Sequence, residues 1–116
     1  MSTDSANQMP SEKRVGPPVV PPVEVGALRF EAIHWGKERG LGQNGGYIAA
    51  FDKATGKELW TLKVYDIQYD PTLESDVQDI FIKSMSKALF GGKLKIKDER
   101  GRRYVVDPDA KTVQSR

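Results

Sequence analysis

Cysteine is absent from this chain of 116 residues. Disulfides, thiolate metal sites, thiol nucleophiles and iron–sulfur clusters are therefore all excluded. Histidine is nearly absent: His34 is the single one, and one imidazole makes neither a metal site nor a triad without partners. Long apolar runs are missing too. No stretch approaches the ~18–20 residues that span a bilayer, and Met1 to Lys13 lack the apolar core of a secretory signal. The expected location is cytoplasmic, with no membrane partner. Charge of one sign is not in excess either, since 18 basic against 16 acidic residues leave +2. That balance argues against a general polyanion binder, so any attraction to nucleic acid has to arise from a local patch.

The residues present divide the chain in two. Residues 1–22 hold five of the seven prolines and no aromatic. Each proline fixes φ and lacks an N–H, so this segment reads as a disordered, Pro-rich tail that becomes polyproline-like toward Pro22. Pro18-Val19-Val20-Pro21 has the form of a PxxP ligand, although a plain linker explains it more simply. Residues 23–116 read as a single β-rich domain. Leu28 to Trp35 alternate, with Leu28, Phe30 and Ala32 on one face and Arg29 and Glu31 on the other. Gly36 to Gly46 carry five glycines and form a loop. Tyr47 to Asp52 and Glu58 to Tyr65 predict two further strands. Segment 75–90 supports two readings. Val77, Ile80, Phe81, Met85, Ala88 and Leu89 follow helical spacing, with Ser75 as N-cap and Gly91-Gly92 as stop; Ile80-Phe81-Ile82 suits a strand across Asp79 to Ser86. Leu94 and Ile96 alternate with Lys93, Lys95 and Lys97, Asp98 to Gly101 have hairpin-loop chemistry, and Tyr104 to Val106 return. The fold expected is mainly β: a small antiparallel meander of five or six strands, with or without one helix at 75–90.

The most specific local signal runs from Ala50 to Trp60. The Asp52 carboxylate and Thr55 can accept turn N–H groups, Gly56 supplies the left-handed residue, and Trp60 brings a large apolar surface to the core. This stretch resembles the A-x-D-x-x-T-G-K-x-x-W repeat of pyrroloquinoline-quinone-type β-propellers, such as quinoprotein dehydrogenases and outer-membrane assembly propellers, in which the Trp docks one blade on the next. It occurs once, whereas a propeller needs about four to eight blades of roughly 40 residues. The resemblance thus implies a hairpin and a packing Trp, without propeller or quinone. The chain also resembles short uncharacterised bacterial proteins built around one such hairpin.

Other signals are less specific. Gly40 to Gly45 spell GxGxxG, but a dinucleotide site needs a helix next and a hairpin follows here. The acidic run 66–79 lacks the residue order of an EF-hand. Residues 93–103 concentrate Lys93, Lys95, Lys97, Arg100, Arg102 and Arg103, a candidate nucleic-acid patch; outward lysines also protect an exposed sheet edge, which is the simpler reading. With no convergent catalytic set, the expectation is a non-enzymatic interaction module. Its expected partner is another protein, the alternative is weak nucleic-acid binding through hairpin 93–103, and no catalytic residue, metal or cofactor is assigned.

Overall fold

The computed structural model describes residues 16–74 and 76–116. Among these residues are eight strands in two four-stranded sheets, each an antiparallel meander of sequence neighbours. The first sheet comprises β1 (Val23–Val25), β2 (Leu28–Ile33), β3 (Tyr47–Asp52) and β4 (Glu58–Lys63). The second comprises β5 (Ile82–Lys87), β6 (Leu94–Asp98), β7 (Arg103–Asp107) and β8 (Thr112–Ser115). The chain is mainly β as its alternation implied, but its strands form two meanders of four and not one of five or six. Segment 64–81, which carries no strand, separates two meanders. The two strands unseen in the sequence are the outermost ones. β1 is three residues long, and β8 holds one half-buried apolar side chain, Val113, so neither offers a readable period.

One apolar cluster joins the inner faces. Phe30, Ile48 and Ala50 from the first sheet meet Ile82, Leu94, Ile96, Tyr104 and Val106 from the second. Ala50 lies between Phe30 on β2 and Trp60 on β4. Its small side chain lets the two rings meet edge-to-face across β3, 5.9 Å between centroids, a favoured aromatic arrangement. Trp60 is half-buried, with the Lys111 ammonium 5.3 Å from its ring.

The helical reading of 75–90 does not hold. A single 3-10 turn, Asp76–Gln78, precedes strand β5, and Ser75, the proposed N-cap, lies outside the described residues. The cause is a bulge between Ile82 and Ser84. It inserts one extra residue, so Ile82, opposite Asp98, and Met85, opposite Ile96, both face inward at a spacing of three that imitates a helix. Gly91 and Gly92, at φ 82° and 63°, turn a hairpin instead of stopping a helix. Phe81 is buried against His34 and Trp35, as either reading required.

The Ala50–Trp60 hairpin follows its local chemistry. Ala54 N–H and Thr55 N–H donate to Asp52 Oδ1 at 2.9 and 3.4 Å, Lys57 N–H donates to Thr55 Oγ1 at 3.2 Å, and Gly56 has φ 77°. Upstream, residues 1–15 of the expected tail lie outside the described residues. Residues 16–22 form no element, yet Val20 packs on the core and His34 Nε2–H donates to the Pro18 carbonyl at 2.8 Å.

Burial orders the energetics of this core. Phe30→Ala is expected to lower unfolding free energy by about 3–5 kcal/mol, and Trp60→Ala, half-exposed at the start, by about 2–3 kcal/mol. Urea midpoints check this order; a Trp60→Ala variant as stable as the parent would show that the indole carries no core packing.

Candidate functional site

Register decides which basic residues share a surface. Odd-numbered residues of β6 and β7 point away from the core, because Leu94, Ile96, Tyr104 and Val106 point into it. Across the outer face this produces three rows. Ser84, Lys97 and Arg103 lie abreast on β5, β6 and β7; Arg116 joins them, its N–H donating to the Arg103 carbonyl at 2.8 Å. The next row is Ser86, Lys95, Val105 and Gln114. The third begins with Lys93, whose Nζ lies 3.5 Å from Asp107 Oδ2. Charge therefore rises along the sheet, from a neutral pair at one end to three adjacent cations at the other.

Lys95, Lys97, Arg103 and Arg116 line a concavity of about 380 Å³ together with the two serines. Among the described residues, none of these four cations pairs with an Asp or Glu side chain. Like charges opposite one another across strands are mutually destabilising, so this row is a local cost that a negatively charged partner would relieve. The edge-protection reading fails here, because β6 is an interior strand flanked by β5 and β7. At the neutral end, the β5–β6 hairpin tip holds Leu89 and Phe90 out in solvent at 90% and 86% exposure.

The sequence patch is thus divided. Lys95, Lys97 and Arg103 come together, Lys93 is paired with Asp107, and Arg100 and Arg102 leave for the β6–β7 hairpin. There, Asp98 is fully buried. Its Oδ1 accepts the N–H groups of Arg100 and Arg102 at 2.8 and 3.0 Å, and its Oδ2 accepts Arg102 Nε–H and Tyr104 O–H at 3.0 and 2.9 Å. Gly101, at φ 83°, closes the turn. Tyr104 stacks on Tyr65 at 5.1 Å, and Tyr65 O–H donates to the Ile80 carbonyl at 2.6 Å, so the carboxylate belongs to a network joining the second sheet to segment 64–81. Arg116, Ser84 and Ser86 were missed in sequence. Ser84 and Ser86 could have been found from the strand reading of 79–86, whereas nothing local marks Arg116.

No protein-family model matches the chain, and neither curated proteins nor solved structures contain a match.

The remaining motifs serve the fold. In the GxGxxG loop the amides are used internally: Gly40 N–H donates to Lys37, Leu41 N–H to Gly36 and Gly45 N–H to His34 carbonyls, and Gly42 N–H to Tyr47 Oη. That consumes the donors a small anion would need. A Cβ at Gly45 would stand 2.5 Å from the Ile80 carbonyl oxygen, so this glycine permits close packing. Gln43, buried, donates to the Gly45 and Tyr65 carbonyls and accepts Ile67 N–H, tying the loop to segment 64–69. The acidic run is dispersed. Asp66 pairs with Lys63 at 2.6 Å, Asp70 binds Thr72, whose hydroxyl holds its carboxyl below the usual range, and Asp79 is buried, accepting Tyr69 O–H. Among the described residues, no three acidic or imidazole side chains gather as metal ligands would.

Two outcomes follow from the Asp98 network. Asp98→Ala strands Tyr104 O–H and two turn amides and is expected to cost about 2–4 kcal/mol, moderated because Arg102 reaches solvent; urea unfolding measures it, and a loss within 0.5 kcal/mol would contradict the network. Burial first, and then the bond to Asp98, push the Tyr104 phenol up to about 12, and burial pushes Tyr65 and Tyr69 in the same direction. An unfolded tyrosine ionises near pH 10. Between about pH 10 and 12 the folded state then holds more protons than the unfolded one, so stability falls as pH rises. Alkaline unfolding coincident with tyrosinate absorbance is expected; constant stability up to pH 12 would refute it.

Proposed function

We propose that this chain is a non-enzymatic binding module that docks another protein through its second sheet. The observation that supports this reading most is the pairing, on one sheet, of a basic row unpaired by any described Asp or Glu side chain with an apolar hairpin tip. The row Lys97, Arg103 and Arg116, with Lys95 beside it, suits acidic side chains. Phe90 and Leu89 suit an apolar pocket, and aromatic anchors beside charged surface are characteristic of protein interfaces. Exposed apolar side chains of this size at a loop tip are a common mark of a contact site.

Nucleic acid is the second reading, favoured by the same four cations. Against it, the outer face carries no aromatic side chain on which a base could stack. An exposed Phe–Leu tip adds nothing to phosphate binding. The propeller-type hairpin belongs in this proposal as a structural element: Trp60 faces Phe30 and the core, with no role in holding a quinone. A cytoplasmic setting fits a chain among whose described residues no helix is long and apolar enough to cross a membrane.

Salt dependence separates the readings. Four phosphate contacts would weaken oligonucleotide binding roughly 50–150-fold between 50 and 200 mM salt. At ~150 mM salt we expect no oligonucleotide complex tighter than ~10⁻⁴–10⁻⁶ M, and a nanomolar complex would overturn the protein reading. A photo-crosslinking residue at Phe90 or at Lys97 should capture the same polypeptide in cells, with capture from Phe90 lost in Lys97→Glu/Arg103→Glu. Capture of different species from the two positions would show that they do not form one interface.

A further inference from the structure

A second concavity lies beyond the β6–β7 hairpin, away from the basic row. Its apolar surface is made by Ile67, Leu73, Val77 and Ile80, and Arg100 and Arg102 stand at its margin around a volume of about 450 Å³. Leu73 and Val77 are 57% and 46% exposed. This surface adjoins segment 66–80, so it is separate from the docking sheet face and independent of the reading proposed for it.

The arginines differ in how they are held. Asp98 holds the Arg102 guanidinium through Nε alone, and that buried carboxylate is itself fixed by two backbone amides and a tyrosine. Among the described residues, the terminal amino groups of Arg102 and the whole guanidinium of Arg100 have no partner. Arg102 thus presents the free edge of a planar fork, fixed in position, next to an apolar wall. That edge matches the two oxygens of a carboxylate, and the fixed orientation reduces the ordering cost of binding.

Charge balance narrows the ligand. The charged side chains that line the groove are Asp66, Arg100 and Arg102, a sum of one positive charge, and the neighbouring Glu99 carboxylate is turned to the Phe81 N–H. A polyphosphate would be poorly matched, whereas a single carboxylate beside one apolar group fits. The concavity is within the ~300–1,000 Å³ range of ligand sites. Its volume of about 450 Å³ suits one or two residues. We propose that this groove binds the free C-terminus of a polypeptide ending in an apolar residue, its α-carboxylate on the Arg102 and Arg100 guanidinium groups and its last side chain against Leu73, Val77 and Ile80. Capture of a chain-terminal carboxylate is an established mode of peptide recognition.

The test titrates the full chain, observed by NMR of backbone and arginine Nε–H groups, with N-acetyl-Ala-Ala-Leu as free acid and as C-terminal amide. Expected is saturable binding of the acid with Kd ~10⁻⁴–10⁻³ M, shifting the Arg102 Nε–H resonance, and binding at least tenfold weaker for the amide, a step of about 1.4 kcal/mol. Val77→Asp, at an exposed position that leaves the fold intact, should abolish binding. Arg100→Gln should weaken it at least threefold, and Lys97→Gln/Arg103→Gln on the basic face should leave it unchanged, so this site and the docking sheet fail separately. Equal binding of acid and amide, tighter binding of decanoate than of the peptide, or no saturation at millimolar peptide would each overturn the proposal.

Discussion

A carboxylate removed from water must be compensated in full or it unfolds the region around it, and Asp98 meets that condition with partners drawn from its own hairpin. Two turn amides, one guanidinium and one phenol converge on its two oxygens. This compensation sets the geometry of everything beyond the turn. It closes β6 onto β7 in the register that places Lys97 opposite Arg103, and it carries Tyr104 against Tyr65, where the sheets meet. The basic row and the fixed Arg102 are both consequences of one satisfied buried charge.

The two faces of the second sheet then acquire opposite characters for a common reason. A central strand with one buried face must alternate, so the inward demand for Leu94 and Ile96 leaves Lys95 and Lys97 outward. Between neighbouring strands, outward positions are brought within about 5 Å of one another. Three cations therefore stand abreast where a random surface would intersperse acids. The first sheet shows the contrast. On its outer face Arg29 is paired with Glu31 at 3.0 Å and lies over the Phe51 ring at 4.8 Å, and the glycine loop covers Tyr47, Ala49 and Ile33 through Leu41. One sheet is neutralised and partly covered, and the other is left charged and bare.

Hairpins at Asp52–Gly56 and Asp98–Gly101 were legible in the amino-acid order, as were the strand at Tyr47–Asp52 and, with their inward sides, the strands beginning at Leu28 and Leu94. Turn chemistry acts over four or five residues, and strand alternation over six, so both are written contiguously. The β5 region was ambiguous for an equally local reason: a bulge at Lys83 shifted the period and gave Ile82 and Met85 the spacing of a helix.

Tertiary structure alone decided which residues face one another. Six basic side chains within eleven positions looked like one patch, yet they separate into a face, a neutral pair and a groove margin. Arg116, thirteen positions from Arg103 in the chain, completes the face because β8 lies beside β7. The glycine loop has the spelling of an anion cradle, but its amides are spent on neighbouring carbonyls and on Tyr47. Turns and alternation depend on forces within a few bonds of each residue; the neighbours across strands depend on sheet order, bulges and the side turned to the core, which are set only when the whole domain closes.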